Sequence, residues 1–142
     1  MIEISESYKV HIVILTWNNN KILKRCLESI ENADHKNLSI SVIDNNSSDD
    51  SLKMISENFP NVQTIKNSKN FKFGRGYNEG LKKINVEDND FIILLNDDTI
   101  VSRNFIDELI NPLVKDQKAI ISTPKILYSS NINKIWYAGG VV

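Results

Sequence analysis

Three carboxylates are the side chains of this sequence best suited to chemistry. Asp97 and Asp98 directly follow an apolar run at residues 91–95, and Asp44 ends another at residues 38–43. Their oxygen atoms suit Mg²⁺ or Mn²⁺, with water and phosphate oxygens completing the shell. Asp44 could instead accept hydrogen bonds from a base or a ribose. A helix-capping turn would also place aspartates here, but the carboxylates at two strand ends together favour a metal-assisted nucleotide site.

A glycine-rich segment is the second candidate. Gly74, Gly76 and Gly80 follow the third predicted strand, whereas the glycines of a dinucleotide-binding motif follow the first strand and open the first helix. We therefore reject a dinucleotide site. Two interpretations stay open: the glycines ease a tight loop, or they form a flexible loop that carries Lys72 and Arg75 over a diphosphate.

The remaining reactive or aromatic residues support no separate chemistry. Trp17 ends a strand and either stacks on a base or closes the core. His11 and His35 have no partner at ligand spacing, so we assign them no role. Cys26 lies on the apolar stripe of a helix, which favours a buried, inert thiol. We find no Ser/His/Asp order and no zinc-type spacing.

Apolar runs alternate with helical stripes through most of the chain, which predicts an α/β fold with right-handed crossovers and a mostly parallel sheet. Strands are predicted at residues 10–16, 38–43, 62–65 and 91–95, and short ones at 119–122 and 135–138; helices are predicted at 21–30, 51–59, 77–84 and after residue 102. The very apolar run at 91–95 predicts a central strand. Because ligands bind at the carboxyl ends of such strands, we expect the polar clusters 16–18, 44–49 and 96–98 to share one edge.

Composition limits the class of protein. A chain of 142 residues suits one domain, and its 17 basic and 18 acidic residues give a net charge of −1, which argues against nucleic-acid binding. No apolar run reaches the roughly 18 residues of a membrane span. Residues 1–9 lack the basic and apolar regions of a secretory signal. The single cysteine fits a reducing cytosol, so we expect a cytoplasmic protein.

Four segments resemble, in order and spacing, the N-terminal half of the family 2 glycosyltransferases. They are VILTWN (13–18), VIDNNSSD (42–49), NFKFGRGYNEG (70–80) and LLNDDT (94–99), and the resemblance spans residues 10–140. It implies a Rossmann-like GT-A fold, with residues 1–142 forming a single, truncated nucleotide-sugar-binding domain. It also implies inverting transfer of a sugar from a nucleoside diphosphate to an acceptor hydroxyl, in polysaccharide or cell-surface glycan synthesis.

The resemblance also implies a site. Nucleotide binding falls to Thr16, Trp17, Asn18, Asp44, Asn46, Arg75, Asn78, Asn96 and Asp97, and metal binding, of Mg²⁺ or Mn²⁺, to Asp98. Asn96 replaces the first aspartate of the family's Asp-X-Asp motif, so it contributes no charge to a metal. The segments 70–80 and 94–98 look most like members that use a dTDP-linked rhamnose. The expected partners are a dTDP- or UDP-linked sugar and a glycan or lipid-linked acceptor.

The resemblance places the family's general base after a segment like Gly139-Gly140, so we expect the acceptor-side part and its base to be absent from this chain. The chain alone would then bind donor without transferring sugar. An apolar end at 138–142 that resembles an interrupted strand predicts self-association, and we expect association with the inner face of a membrane. The alternative is a non-catalytic nucleotide- or metal-binding module. A phosphoacceptor receiver domain is excluded, because Thr16-Trp17 stands where its acidic pair belongs.

Overall fold

A computed structural model describes residues 8–88 and 90–139 and shows an α/β fold built on a parallel sheet. Its elements in chain order are β1 (Val10–Thr16), α1 (Asn20–Glu31), β2 (Leu38–Asp44), α2 (Ser51–Asn58), β3 (Gln63–Lys66), α3 (Phe73–Leu81), β4 (Phe91–Asn96) and α4 (Phe105–Lys115). An antiparallel pair follows, β5 (Ile126–Tyr128) and β6 (Asn131–Tyr137). The predicted α/β class with a mostly parallel sheet is confirmed.

The strand order is β3-β2-β1-β4, and all four strands are parallel. The chain adds β2 and then β3 on one side of β1 and returns to add β4 on the other side, so the direction in which strands are added reverses at β1. The register pairs Thr16 with Asp44 on one side of β1 and Leu15 with Asn96 on the other. The ends of β1, β2 and β4 therefore meet at one edge, as predicted. Such a reversal opens a crevice at the carboxyl ends of the strands.

β1 is apolar on both faces because helices cover both. On one face Ile12 and Ile14 pack in a core with residues of α1, α2 and α4. On the other face Val13 packs with Ile43 and with Tyr77 of α3. Side chains alternate between the faces of a strand, so a strand buried on both sides reads as a continuous apolar run.

The glycine-rich segment is a helix and not a loop, so the expectation of a loop is wrong, whereas contact of Lys72 and Arg75 with a diphosphate stays a prediction. Gly76 and Gly80 are buried where α3 approaches the sheet. A Cβ at Gly76 would lie 3.0 Å from Asn45 Nδ2, and one at Gly80 would overlap the side chain of Ile43. The glycines therefore permit close packing of a helix on a strand.

The strand predictions need three corrections. Within the described residues β4 pairs only with β1, so it is an edge strand and not a central one. Its Ile92 and Leu94 are 44% and 55% exposed, because only one of its faces is covered. Residues 119–122 form no strand, and the strand predicted at 135–138 starts earlier, within β6. Residues 140–142 lie outside the described residues, so self-association there stays a prediction.

The opposite edge of the sheet carries a polar cluster that the sequence analysis missed. His11 Nδ1 lies 2.7 Å from Ser39 Oγ, and His11 Nε2 lies 2.8 Å from Asp90 Oδ2. Asp90 also accepts the N–H of Glu87, and these hydrogen bonds hold the pKa of Asp90 below its usual value. The cluster fastens the segment before β4 to β1 and β2. Among the described residues, no helix has the length and apolar character needed to cross a membrane.

The close approach of α3 to the sheet yields a prediction about stability. Gly80→Ala should lower the free energy of unfolding by about 1–3 kcal/mol, because the methyl group overpacks against the buried Ile43. Gly74→Ala is the matched control: it lies on the same helix, in open space, and should gain up to about 1 kcal/mol from helix propensity. Urea unfolding followed by circular dichroism measures both. Equal midpoints for the two variants would contradict the packing argument.

Candidate functional site

An acidic turn follows β4 at the reversal of strand order. The N–H of Thr99 donates to the carbonyl of Asn96 over 3.3 Å and closes the turn. Thr16 Oγ1, at the end of the neighbouring strand, donates to Asp97 Oδ2 over 2.7 Å. Asp98 is exposed. The two carboxylates thus differ: Asp97 is fixed against β1, whereas Asp98 faces solvent and is available to a ligand.

Asp44 ends β2 and is fully buried. Its two carboxylate oxygens lie 3.1 and 3.3 Å from the N–H of Ser47, which donates to them. Asn46 lies between Asp44 and Ser47 in the loop and has a φ of 65°. Asparagine tolerates this left-handed conformation better than most residues. The carboxylate therefore shapes the loop after β2, and its contact with a nucleotide stays a prediction.

Asn18 joins the loop after β1 to the loop after β2. Its side-chain oxygen accepts the backbone N–H of Ser48 at 2.7 Å and that of Asp49 at 3.3 Å. In return Asp49 accepts the N–H of Asn20, in the first turn of α1. Burial acts to raise the pKa of Asp49, but hydrogen bonds from Ser51 and Asn20 outweigh it and leave that pKa below the ordinary value. Asn18 is thus a bracing residue in this structure.

Trp17 is 53% exposed at the end of β1. It does not close the core, so that interpretation of the residue is wrong. An exposed indole beside a polar edge can stack on a planar ring. Stacking on a base stays a prediction.

A cavity of about 510 Å³ opens beside the ends of β2 and β3, and six of its seven lining residues are polar or charged. It is lined by Asn46, Lys66, Asn67, Ser68, Phe71, Glu79 and Lys83. Asn67 is buried, and its Oδ1 has no hydrogen-bond partner among the described residues. Amide groups, cations and one aromatic ring together suit a polar, planar ligand with negative charge.

The buried Asn45 holds one side of this cavity. Its Nδ2 donates to Asn70 Oδ1 and to the carbonyl of Lys72, at 3.0 and 3.1 Å. Its Oδ1 accepts from Asn67 Nδ2 and from the N–H of Phe71, both at 3.1 Å. The sequence does not predict this role, because an asparagine after a strand is typical of a turn.

Two predicted nucleotide ligands lie on α3. Arg75 lies over the ring of Phe71, 4.6 Å from its centre, and its Nε is 3.9 Å from Glu79. Asn78 is exposed. Arg75 therefore lies at the rim of the cavity. Lys72 precedes the helix with a φ of 64°, a strained conformation for a lysine.

Two buried groups lie close to the acidic turn. Burial raises the pKa of the Cys26 thiol to about 12, and the charges of Asp97 and Asp98 add to the rise. Cys26 is therefore a protonated, inert thiol at neutral pH, as predicted. Burial likewise raises the pKa of Tyr77 to about 12. Its hydroxyl donates to the carbonyl of Leu95 over 2.9 Å and accepts the N–H of Leu15 over 3.3 Å.

The residues fit a divalent cation only as partial ligands. Asp98 offers a free carboxylate next to the fixed Asp97, and carboxylate oxygen suits Mg²⁺ and Mn²⁺. Within residues 8–88 and 90–139, no group of three or more histidine, cysteine, aspartate and glutamate side chains could hold a metal ion alone. A ligand with its own oxygen atoms would have to complete the shell.

Comparison with known proteins agrees with this geometry. Residues 11–140 match the family model described as Glycosyl transferase family 2. A Methanococcus voltae enzyme, Dolichyl N-acetyl-alpha-D-glucosaminyl phosphate 3-beta-D-2,3-diacetamido-2,3-dideoxy-beta-D-glucuronosyltransferase, is 27% identical over an alignment covering 91% of this chain and 48% of its own length. The Campylobacter jejuni GalNAc(5)-diNAcBac-PP-undecaprenol beta-1,3-glucosyltransferase is 32% identical over 63% of this chain and 29% of its own length. The chain thus spans half or less of these relatives.

Solved structures share the fold. S. aureus TarS residues 1–349 with UDP-GlcNAc superposes with a TM-score of 0.66 at 19% identity, covering 77% of this chain and 32% of that one. The mannosyltransferase PcManGT of Pyrobaculum calidifontis, with GDP-Man and Mn²⁺, gives 0.66 at 17% identity, covering 75% and 33%. At such identities the likeness shows the fold alone, which is GT-A. Because the family model covers most of its length, the chain belongs to glycosyl transferase family 2.

Proposed function

We propose that this chain is the donor-binding part of a glycosyltransferase that moves a sugar from a nucleoside diphosphate to an acceptor hydroxyl with inversion. One observation carries the proposal: a polar cavity and an acidic turn open on the same edge of the sheet, on either side of β1. A nucleoside diphosphate sugar has a base at one end, a diphosphate in the middle and the sugar at the other end. The cavity matches its base, and the acidic turn matches its diphosphate.

The nucleoside end fits the cavity. Amide groups of Asn46 and Asn67 can exchange hydrogen bonds with a base, and the unpartnered Asn67 Oδ1 is an acceptor that lacks a donor. Trp17 offers an exposed ring at the end of β1, the strand next to β2, and Arg75 lies at the cavity rim. Asp44 then supports the loop that contacts the base or ribose, or contacts the nucleoside itself when that loop opens.

The diphosphate end fits the acidic turn. Asp98 would hold Mg²⁺ or Mn²⁺, with Asp97 beside it. The side-chain amide of Asn96 would form a hydrogen bond with the ribose. When bound, such a cation neutralises the charge of the leaving diphosphate. The hydrogen bond from Thr16 keeps Asp97 oriented before any ligand arrives, which lowers the reorganisation that binding requires.

The reaction also needs a base, and the three strand-end aspartates have other assigned roles. An acceptor hydroxyl attacks the anomeric carbon, its proton passes to a carboxylate base, and the carbon–oxygen bond to the diphosphate breaks. Asp44 is buried, Asp97 is bonded to Thr16, and Asp98 is assigned to the cation. The base therefore lies outside this set.

The names of the relatives support a class of acceptor and a class of donor for this chain. The names of both relatives describe lipid-linked substrates, dolichyl phosphate in one and diphospho-undecaprenol in the other. A lipid-linked acceptor and work at the inner face of a membrane, in cell-surface glycan synthesis, follow as proposals for this chain. UDP- and dTDP-linked sugars are the proposed donors, and TarS was solved with UDP-GlcNAc.

The assignment of Asp98 gives a first test. Asp98→Asn should weaken UDP binding in the presence of Mn²⁺ by an order of magnitude or more, because the cation loses a charged ligand. Binding in EDTA should change little. Asp116→Asn, an exposed aspartate on a remote turn, is the control. Calorimetry with UDP, dTDP and GDP measures each case, and unchanged Mn²⁺-dependent binding in Asp98→Asn would remove the residue from the site.

Asp44 should act on the nucleoside and not on the cation. Asp44→Ala removes the acceptor of the Ser47 N–H and should weaken UDP binding about tenfold or more, with or without Mn²⁺. Asp50→Asn is the control, because Asp50 stands at the end of the same loop without a side-chain cap hydrogen bond. A loss confined to the Mn²⁺ titration would assign Asp44 to the cation instead.

We expect the 142-residue chain to bind donor without enzymatic transfer, because Asp44, Asp97 and Asp98 all have other assigned roles. General-base catalysis contributes about 10²- to 10⁴-fold, and its loss leaves the rate near background. Donor hydrolysis and transfer to an acceptor sugar are measured on the same preparation as UDP binding. Turnover with an acceptor would show that the base lies in this chain. A folded chain that binds none of the three nucleotides would overturn the proposed function.

A further inference from the structure

Tyr77 places a hydroxyl across the seam between β1 and β4. Its side chain is 4% exposed and packs with Val13, Ile43 and Ile65 on one face of the sheet. The hydroxyl accepts the N–H of Leu15 in β1 and donates to the carbonyl of Leu95 in β4. A phenylalanine could fill the same apolar space. A buried hydroxyl is costly without partners, and both of its partners here lie on the seam.

The seam leads directly to the acidic turn. Leu15 precedes Thr16, which donates to Asp97 over 2.7 Å. Leu95 is followed by Asn96, where the turn begins. The hydroxyl of Tyr77 thus holds together the two strand ends whose separation sets the hydrogen bond between Thr16 and Asp97.

The same helix reaches the cavity. Gly76, the neighbour of Tyr77, accepts a hydrogen bond from Asn67 Nδ2 over 3.2 Å through its carbonyl. Asn67 lines the cavity and is bonded in turn to Asn45. One rigid helical turn therefore connects the cavity wall with the seam. Packed, hydrogen-bonded contacts thus form a continuous path between the two.

We propose that Tyr77 is a positioning residue that couples nucleoside binding in the cavity to metal binding at the acidic turn. The inference rests on the proposed function and deepens it. Coupling of this kind is reciprocal: a nucleoside that orders Asn67 favours the turn geometry that holds the cation, and the cation favours the nucleoside. The observable quantity is the factor by which Mn²⁺ tightens UDP binding.

Tyr77→Phe tests the coupling, because it keeps the ring and removes only the hydroxyl. The factor by which Mn²⁺ tightens UDP binding should fall about three- to tenfold, the range for one or two lost hydrogen bonds. UDP binding in EDTA should stay within about twofold. Tyr128→Phe, in β5, is the matched control. A purely structural role would weaken both bindings equally and leave the factor unchanged, which would overturn the inference.

A double-mutant cycle tests the route. Thr16→Val removes the hydroxyl that orients Asp97. If Tyr77 acts through that hydrogen bond, the double variant should lose little more than the single Thr16→Val variant. Fully multiplicative losses would show that Tyr77 does not act through Thr16 and would overturn the proposed route.

Amide hydrogen exchange provides a readout that needs no nucleotide. In Tyr77→Phe the amides of Leu15 and Thr99, which donate to the Tyr77 hydroxyl and to the carbonyl of Asn96, should exchange faster, whereas that of Ile12, in the middle of β1, should keep its protection. Unchanged exchange at Leu15 and Thr99 would overturn the positioning role whatever UDP does. A parent chain that binds no UDP while these amides respond would overturn the proposed function and the coupling, and would leave Tyr77 as a brace of the turn.

Discussion

One buried amide holds the cavity side of the site together. Asn45 is 2% exposed, and both ends of its side-chain amide are satisfied by the segment between β3 and α3. An unpaired amide would be costly at this depth, so its partners must stay in place. The network also offsets the strain of Lys72, whose conformation costs about 1–3 kcal/mol. The start of α3, and with it the cavity wall, therefore depends on the residue after β2.

The acidic turn divides its two carboxylates between structure and ligand. Asp97 is bonded to Thr16, so it is oriented before a ligand binds, while Asp98 stays free. Negative charge at this point also acts on the buried Cys26 and Tyr77, and it adds to the rise in both pKa values. Both groups consequently stay neutral, and the Tyr77 hydroxyl remains able to donate a hydrogen bond to the carbonyl of Leu95. A buried anion beside the turn would repel the diphosphate.

Periodicity and strand-end chemistry predicted most of the fold and the edge that carries the site, because these depend on short-range pattern. The glycine segment was wrongly predicted as a loop, because Gly76 and Gly80 allow close packing on side chains of the sheet and of the loop after β2, which no local pattern shows. β4 was wrongly predicted as a central strand, because an apolar run does not show whether one face of the strand or both are covered. The roles of Asn45 and Tyr77 depend on partners from other elements, at sequence separations of 18–62 residues. Single-sequence reasoning has no access to such contacts.

The geometry also gives the proposed donor a direction. The cavity lies at the ends of β2 and β3 and the acidic turn at the end of β4, with β1 between them. Neighbouring strands lie about 4.8 Å apart, so the acidic turn lies about 10 Å along the edge from the end of β2 and about 14 Å from the end of β3. A donor with its base in the cavity and its diphosphate at Asp98 would therefore point its sugar past β4.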